Sequence, residues 1–220
     1  MIYLNYISCI KIIVFARSHC FLHLIIITTI ITIRGASAGT EIVVPAGRKV
    51  LAPPAGWDSC DGSSPGSPGR LTAGWLMLTA HQPILLIETY LWTMEPPGSC
   101  RNQRLLDAAI MLIRHTNLPY VWWGDFQCER QELEDLGCWD KVGAWGGAAL
   151  SPPSATCRSG RAIDLLILDI RLKARAGLPQ TLDDWAPRAH RPCYVMLSHE
   201  RDAQVLSRPL LSSQRCPAKP

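Results

Sequence analysis

Three short segments carry side chains whose types and spacing suit hydrolytic chemistry. Tyr120-Val121-Trp122-Trp123-Gly124-Asp125-Phe126-Gln127 is an apolar run that ends by presenting a carboxylate. Ala162-Ile163-Asp164-Leu165-Leu166-Ile167-Leu168-Asp169 sets a carboxylate at the head of a second apolar run. His190-Arg191-Pro192 offers an imidazole on a backbone stiffened by proline. A carboxylate at a strand end suits a hard divalent cation, or it orients an attacking water. The competing use for Asp125 is as N-cap of the helix expected near Glu129. Asp164 is more constrained, because a buried carboxylate is costly unless it is paired. His190 is its natural partner, and the pair would fix the tautomer and basicity of the imidazole. The competing arrangement is an edge-strand Asp164 satisfied by Arg161. Tyr90 closes the Ile84–Leu91 run, where its hydroxyl suits a phosphate oxygen or is the wet tip of a core aromatic. Arg101 and Arg104 are candidates for phosphate contact, or else solvated cations. His81, His115 and His199 read as exposed polar surface.

These residues need elements to hold them. Leu71 to Thr79 and Ile84 to Leu91 read as an antiparallel pair around Ala80-His81-Gln82-Pro83. Arg101 to Arg114 has apolar residues at 105, 106, 109, 110, 112 and 113, the spacing of an amphipathic helix. The Trp122-Trp123 strand follows Pro119, and Glu129 to Leu136 reads as a short polar helix. Gly143 to Ser159 reads as irregular, Ala162 to Leu168 as a strand, Pro179 to Ala189 as a loop and Cys193 to Leu197 as a last strand. Earlier, Glu41-Ile42-Val43-Val44 and Arg48-Lys49-Val50-Leu51 are short strand candidates. The stretch from Pro53 to Gly69 is too rich in Pro, Gly and Ser for a helix or inner strand. The order predicts a mixed arrangement in which helices cover sheets.

The chain has 220 residues, of which 48% are apolar and 18% charged, enough for one domain with a real core and too apolar for wholesale disorder. A net charge of +4 permits a polyanionic partner without requiring one. Nine cysteines occur, and no two have C-x-x-C spacing, which argues against a structural zinc site. Residues 1–38 read as an apolar leader. Lys11 and Arg17 precede the run Phe21 to Ile33, and Ala36-Ser37-Ala38 has the form of a cleavage site. Two readings stand: a signal-like or anchor-like segment, or an extension foreign to a soluble domain. The first implies secretion or membrane association, with membrane contact only through residues 1–33, and the second an intracellular protein. Residues 201–220 read as a polar tail.

Taken together, Tyr90, Gly124-Asp125-Phe126-Gln127, Ile163-Asp164 and His190-Arg191-Pro192 resemble the endonuclease/exonuclease/phosphatase superfamily in order and spacing. That superfamily includes DNase I-like nucleases, apurinic-site endonucleases, inositol phosphatases and the endonuclease modules of non-LTR retroelements. The resemblance covers roughly Glu41 to Leu197. It implies an α+β fold, a partial four-layer DNase I-like sandwich of two packed mixed sheets flanked by helices, for a domain at 41–200. It implies phosphodiester or phosphomonoester hydrolysis with Mg²⁺ or Mn²⁺, and DNA or RNA as partner. In this reading Asp125 orients the water and touches the metal, Asp164 orients His190, and His190 acts on the water or the phosphorane. Tyr90 and Gln127 contact the phosphate, with Arg101 and Arg104 nearby. The chain departs from the pattern in three ways. Gln127 stands where Asn is usual, and Arg188-Ala189-His190 replaces Ser-Asp-His. The early Asn and metal-binding Glu have no counterpart, as in a domain lacking its first strands or a catalytically dead retroelement remnant that only binds nucleic acid or protein.

Overall fold

The structure, a computed structural model, describes residues 7–17, 20–31, 42–43, 50–51, 70–79, 82–137, 140–141, 146–174, 176–181, 190–191 and 193–198. The loop read at 53–69 and the tail at 201–220 lie outside these residues.

The amphipathic stretch forms the longest helix among the described residues, α1 (Cys100–Thr116). Ser99 caps its start by accepting from the Asn102 N–H, and Asn117 ends it in the left-handed region at φ 50°. Arg114 and His115 in the last turn complement the helix dipole. Asn102, wholly buried, staples the preceding loop: its Oδ1 accepts from the Trp92 N–H at 2.7 Å, and its amide donates to the Glu95 and Pro96 carbonyls at 3.2 and 3.1 Å.

One sheet has six strands: β4 (Val50–Leu51), β5 (Leu71–Thr79), β6 (Gln82–Tyr90), β7 (Tyr120–Asp125), β8 (Gly147–Leu150) and β9 (Asp164–Asp169). Its order is β4-β5-β6-β7-β9-β8. The helix carries the chain back so that β7 runs parallel to β6, while β9 is antiparallel to β7. The other sheet has five strands: β1 (Ile7–Arg17), β2 (Cys20–Ile31), β3 (Ile42–Val43), β10 (Gln180–Thr181) and β11 (Cys193–Ser198), in the order β10-β11-β1-β2-β3. The short helices α2 (Arg130–Asp135) and α3 (Ile170–Lys173) complete the described elements.

Two stretches take a form that the sequence reading did not give them. Much of the stretch that reads as a leader is paired backbone, with β1 hydrogen-bonded to β2 on one side and to β11 on the other. A run dominated by Ile, Val and Thr is β-branched, and the hairpin satisfies its backbone groups within a sheet. The five-stranded sheet thus includes β1 and β2, which precede residue 41. Within the segment read as irregular, Gly147–Leu150 forms an edge strand on β9. Among the described residues no helix is long and apolar enough to cross a membrane, a statement that does not extend to strands.

The period-2 alternation of the inner strands divides the core. Leu85, Ile87, Tyr120, Trp122, Leu165 and Ile167 pack toward α1 with Leu105, Ala109 and Ile113. The Trp122 indole N–H also donates to Thr89 Oγ1 at 2.9 Å inside this layer. Ile84, Leu86, Val121, Trp123, Leu166 and Leu168 face the other way and pack with Val195 and Leu197 of β11, which seats the two sheets against each other. This parity decides where the acids point. Asp125 continues the Val121–Trp123 row and Asp164 the Leu168–Leu166 row, so both carboxylates belong to the face that meets the second sheet.

Candidate active site

Asp125 and Asp164 are direct cross-strand partners at one end of the six-stranded sheet, and both are buried, 1% and 2% exposed. Like charges directly opposite each other are unfavourable unless something lies between them. His190 does. Its Nδ1 is 3.1 Å from Asp164 Oδ2, and its Nε2 is 3.6 Å from Asp125 Oδ2. With Nδ1–H donating to Asp164, the imidazole presents Nε2 on the Asp125 side. Asp125, Asp164 and His190 are therefore together, and a ligating atom from each lies within 4.8 Å of the others.

The competing uses of the two acids are not realised. Glu129, in a capping box with Glu132, caps α2 in place of Asp125. Arg161 pairs with Glu132 and not with Asp164.

Local structure aims each group. A Cβ added at Gly124 would lie 2.4 Å from the Thr89 carbonyl oxygen and 2.9 Å from the Phe126 ring, so only glycine fits where β7 turns Asp125 toward the site. Asp125 Oδ1 accepts from the Gln127 N–H at 3.1 Å, while Gln127 sits in the left-handed region at φ 56°. Its backbone, not its amide, is what holds Asp125, and that conformation is one where Asn is at ease and Gln is strained. Tyr90 is in register with Asp125 on the neighbouring strand, so it joins the site row, and its hydroxyl is 3.4 Å from Thr93 Oγ1. Arg101 is drawn away to an ion pair with Glu95 at 3.0 Å. Arg104 is exposed on α1, and no contact joins it to the site.

Three contributors escape a reading of the sequence. Thr156 is wholly buried in the segment read as irregular. Its Oγ1 accepts from the Ile163 and Asp164 N–H groups at 3.0 and 3.1 Å, and its carbonyl accepts from the Arg191 N–H at 2.7 Å. It thereby ties the start of β9 to the chain that carries His190, which also forms a bridge with Cys157. Nothing in the local pattern marks it. Thr156→Val keeps the shape and removes the acceptor of two buried N–H groups, so it is expected to cost about 2–4 kcal/mol; urea unfolding of the two proteins checks this. Glu88 is wholly buried opposite Trp123, two residues before the Tyr90–Asp125 pair along the ladder. Its signal was available, a lone acid inside the apolar Ile84–Leu91 run. Arg70, 6% exposed, lies against Tyr90. Burial lowers its pKa from the ordinary value, and its interactions with Tyr90 and with the Asp125 carboxylate oppose that shift, which places this cation within electrostatic reach of the site.

No protein-family model and no curated protein sequence matches the chain. Solved structures do. The endonuclease domain of TRAS1, a telomere-specific non-LTR retrotransposon, superposes with a TM-score of 0.54 at 11% identity, over 82% of this chain and 95% of that one. Cytolethal distending toxin from Actinobacillus actinomycetemcomitans gives 0.51 at 15% identity, over 80% and 69% of the two chains. The Haemophilus ducreyi toxin gives 0.50 at 14% identity, with the same coverage. At such identities the likeness speaks for the fold alone, a DNase I-like α+β sandwich.

Proposed function

We propose that the protein is a phosphoester hydrolase that cleaves phosphodiester bonds in nucleic acid. The observation that carries this reading is one imidazole set between two buried, cross-strand carboxylates at a sheet end. Asp164 holds His190 in one tautomer, and the Nε2 of His190 serves the attacking water or the phosphorane. Asp125, fixed by the Gln127 N–H, orients that water. Tyr90 contacts the scissile phosphate from the adjacent strand. A set of two carboxylates and an imidazole suits a divalent cation such as Mg²⁺ or Mn²⁺. Asp125 would hold it, and the ion would polarise the phosphoryl oxygens and offset their charge. The retroelement endonuclease among the fold neighbours supports nucleic acid over a small phosphoester as substrate.

The test uses the purified full chain with plasmid DNA and, separately, bis-nitrophenyl phosphate. Cleavage is expected with Mg²⁺ or Mn²⁺, to be abolished by chelation and restored by excess metal. Absence of turnover on both substrates with both metals overturns the reading and leaves a binding module.

A further inference from the structure

The Arg70 guanidinium lies between two aromatic rings, 4.3 Å from the Tyr90 centroid and 3.7 Å from that of Trp92. On the Trp92 ring a second guanidinium, Arg101, stands at 5.4 Å, and Glu95 holds Arg101 in turn. The clamp extends to the main chain. Arg70 Nη1 donates to the Tyr90 and Leu91 carbonyls at 3.4 and 3.1 Å, and the Arg70 carbonyl accepts from the Tyr90 N–H at 2.8 Å.

A guanidinium this buried is an expensive way to fill space. It stays charged and it must be desolvated, and its Nε has no hydrogen-bond partner among the described residues. An apolar side chain of similar volume would pack the same gap without that penalty. What only a flat cation supplies is a rigid slab against two ring faces. Tyr90 needs such a slab, since its hydroxyl sits at the exposed rim beside Thr93.

We propose that Arg70 is a positioning residue that immobilises the Tyr90 ring at the rim of the site, with Trp92 as the opposing wall. Arg70 acts through Tyr90 and touches no reacting group. The kinetic consequence rests on the function proposed above; the structural one does not.

Nuclear magnetic resonance of the full chain tests the structural arm. In the wild-type protein the Arg70 Nε–H proton is expected far upfield of its free position, shielded by both rings, and the Tyr90 ring is expected to flip slowly. Arg70→Met should let that ring flip fast. Arg70→Lys should fail to restore slow flipping, because an ammonium has no plane to stack. An Arg70 Nε–H at its free position, or a Tyr90 ring unchanged in either variant, overturns the proposal. The wild-type measurement needs no variant, so it decides even if Arg70→Met does not fold. For the kinetic arm, Arg70→Met should lower kcat by about tenfold to a hundredfold with KM nearly unchanged. Adding it to Tyr90→Phe should cost nothing further. Additive losses would mean that Arg70 works independently of Tyr90, against the proposal. A chain with the ring clamp intact and no turnover would instead count against the hydrolase reading alone.

Discussion

Replacing His190 with alanine is expected to lower kcat/KM on bis-nitrophenyl phosphate by about 10²–10⁴, the range for losing a positioned acid–base group. Asp164→Asn should lose nearly as much. The amide can offer its NH₂ toward Nδ1, which turns the imidazole to the other tautomer and leaves a proton on Nε2. Because the two residues act as one unit, the double variant should be no worse than His190→Ala alone. A further loss in the double variant would show that the Nδ1–Asp164 contact at 3.1 Å does not operate in the reaction. His190→Ala has a second consequence. It leaves Asp125 and Asp164 facing each other, buried, with the group between them gone. Removing one partner from a buried charged set costs about 3–5 kcal/mol. Thermal unfolding of the variant should therefore show a clear loss of stability as well as of rate.

Gly124→Ala is the smallest substitution with a large expected effect. The added methyl would meet backbone, the Thr89 carbonyl oxygen at 2.4 Å, and the Phe126 ring at 2.9 Å. Neither is the loose end of a flexible side chain. The Thr89 carbonyl belongs to the β6–β7 ladder, and Phe126 packs on Trp122 with ring centroids 5.6 Å apart. Relief requires β7 to move away from β6 at the residue before Asp125. Overpacking of this kind costs about 1–3 kcal/mol, and more when backbone must shift. The displacement also moves the Asp125 oxygens away from His190 Nε2, and a misplacement of about 1 Å can cost about 10²-fold in rate. Denaturant unfolding and steady-state kinetics of this one variant check both. A folded, fully active Gly124→Ala would mean that the close approach of β6 and β7 does not set the site.

Much of the framework was legible because it is local. The spacing from Leu105 to Ile113 predicts α1 within a few residues of its observed ends. The runs around Trp122 and Leu166 are apolar on both faces, which is what a strand covered by a helix on one side and a sheet on the other must be. The acids were legible for the same reason, since a carboxylate in such a run needs a partner. The pairing of β1 with β2 was not legible, because a signal core and a β-branched strand share one composition and differ in what lies beside them. β8 was missed because its four residues, Gly147 to Leu150, have no alternation to reveal and are held by β9.

Sequence alone established the reactive residue types, the strands that carry Asp125 and Asp164, and the helix that returns the chain between Tyr90 and Asp125. Tertiary structure decided which of these residues meet. The register of β7 on β9 sets Asp125 opposite Asp164, and Thr156 brings the His190 segment to β9. The stack of Arg70 between Tyr90 and Trp92 joins residues 20 and more positions apart. Those contacts depend on distances through space between segments remote along the chain, and neither periodicity nor composition carries that information.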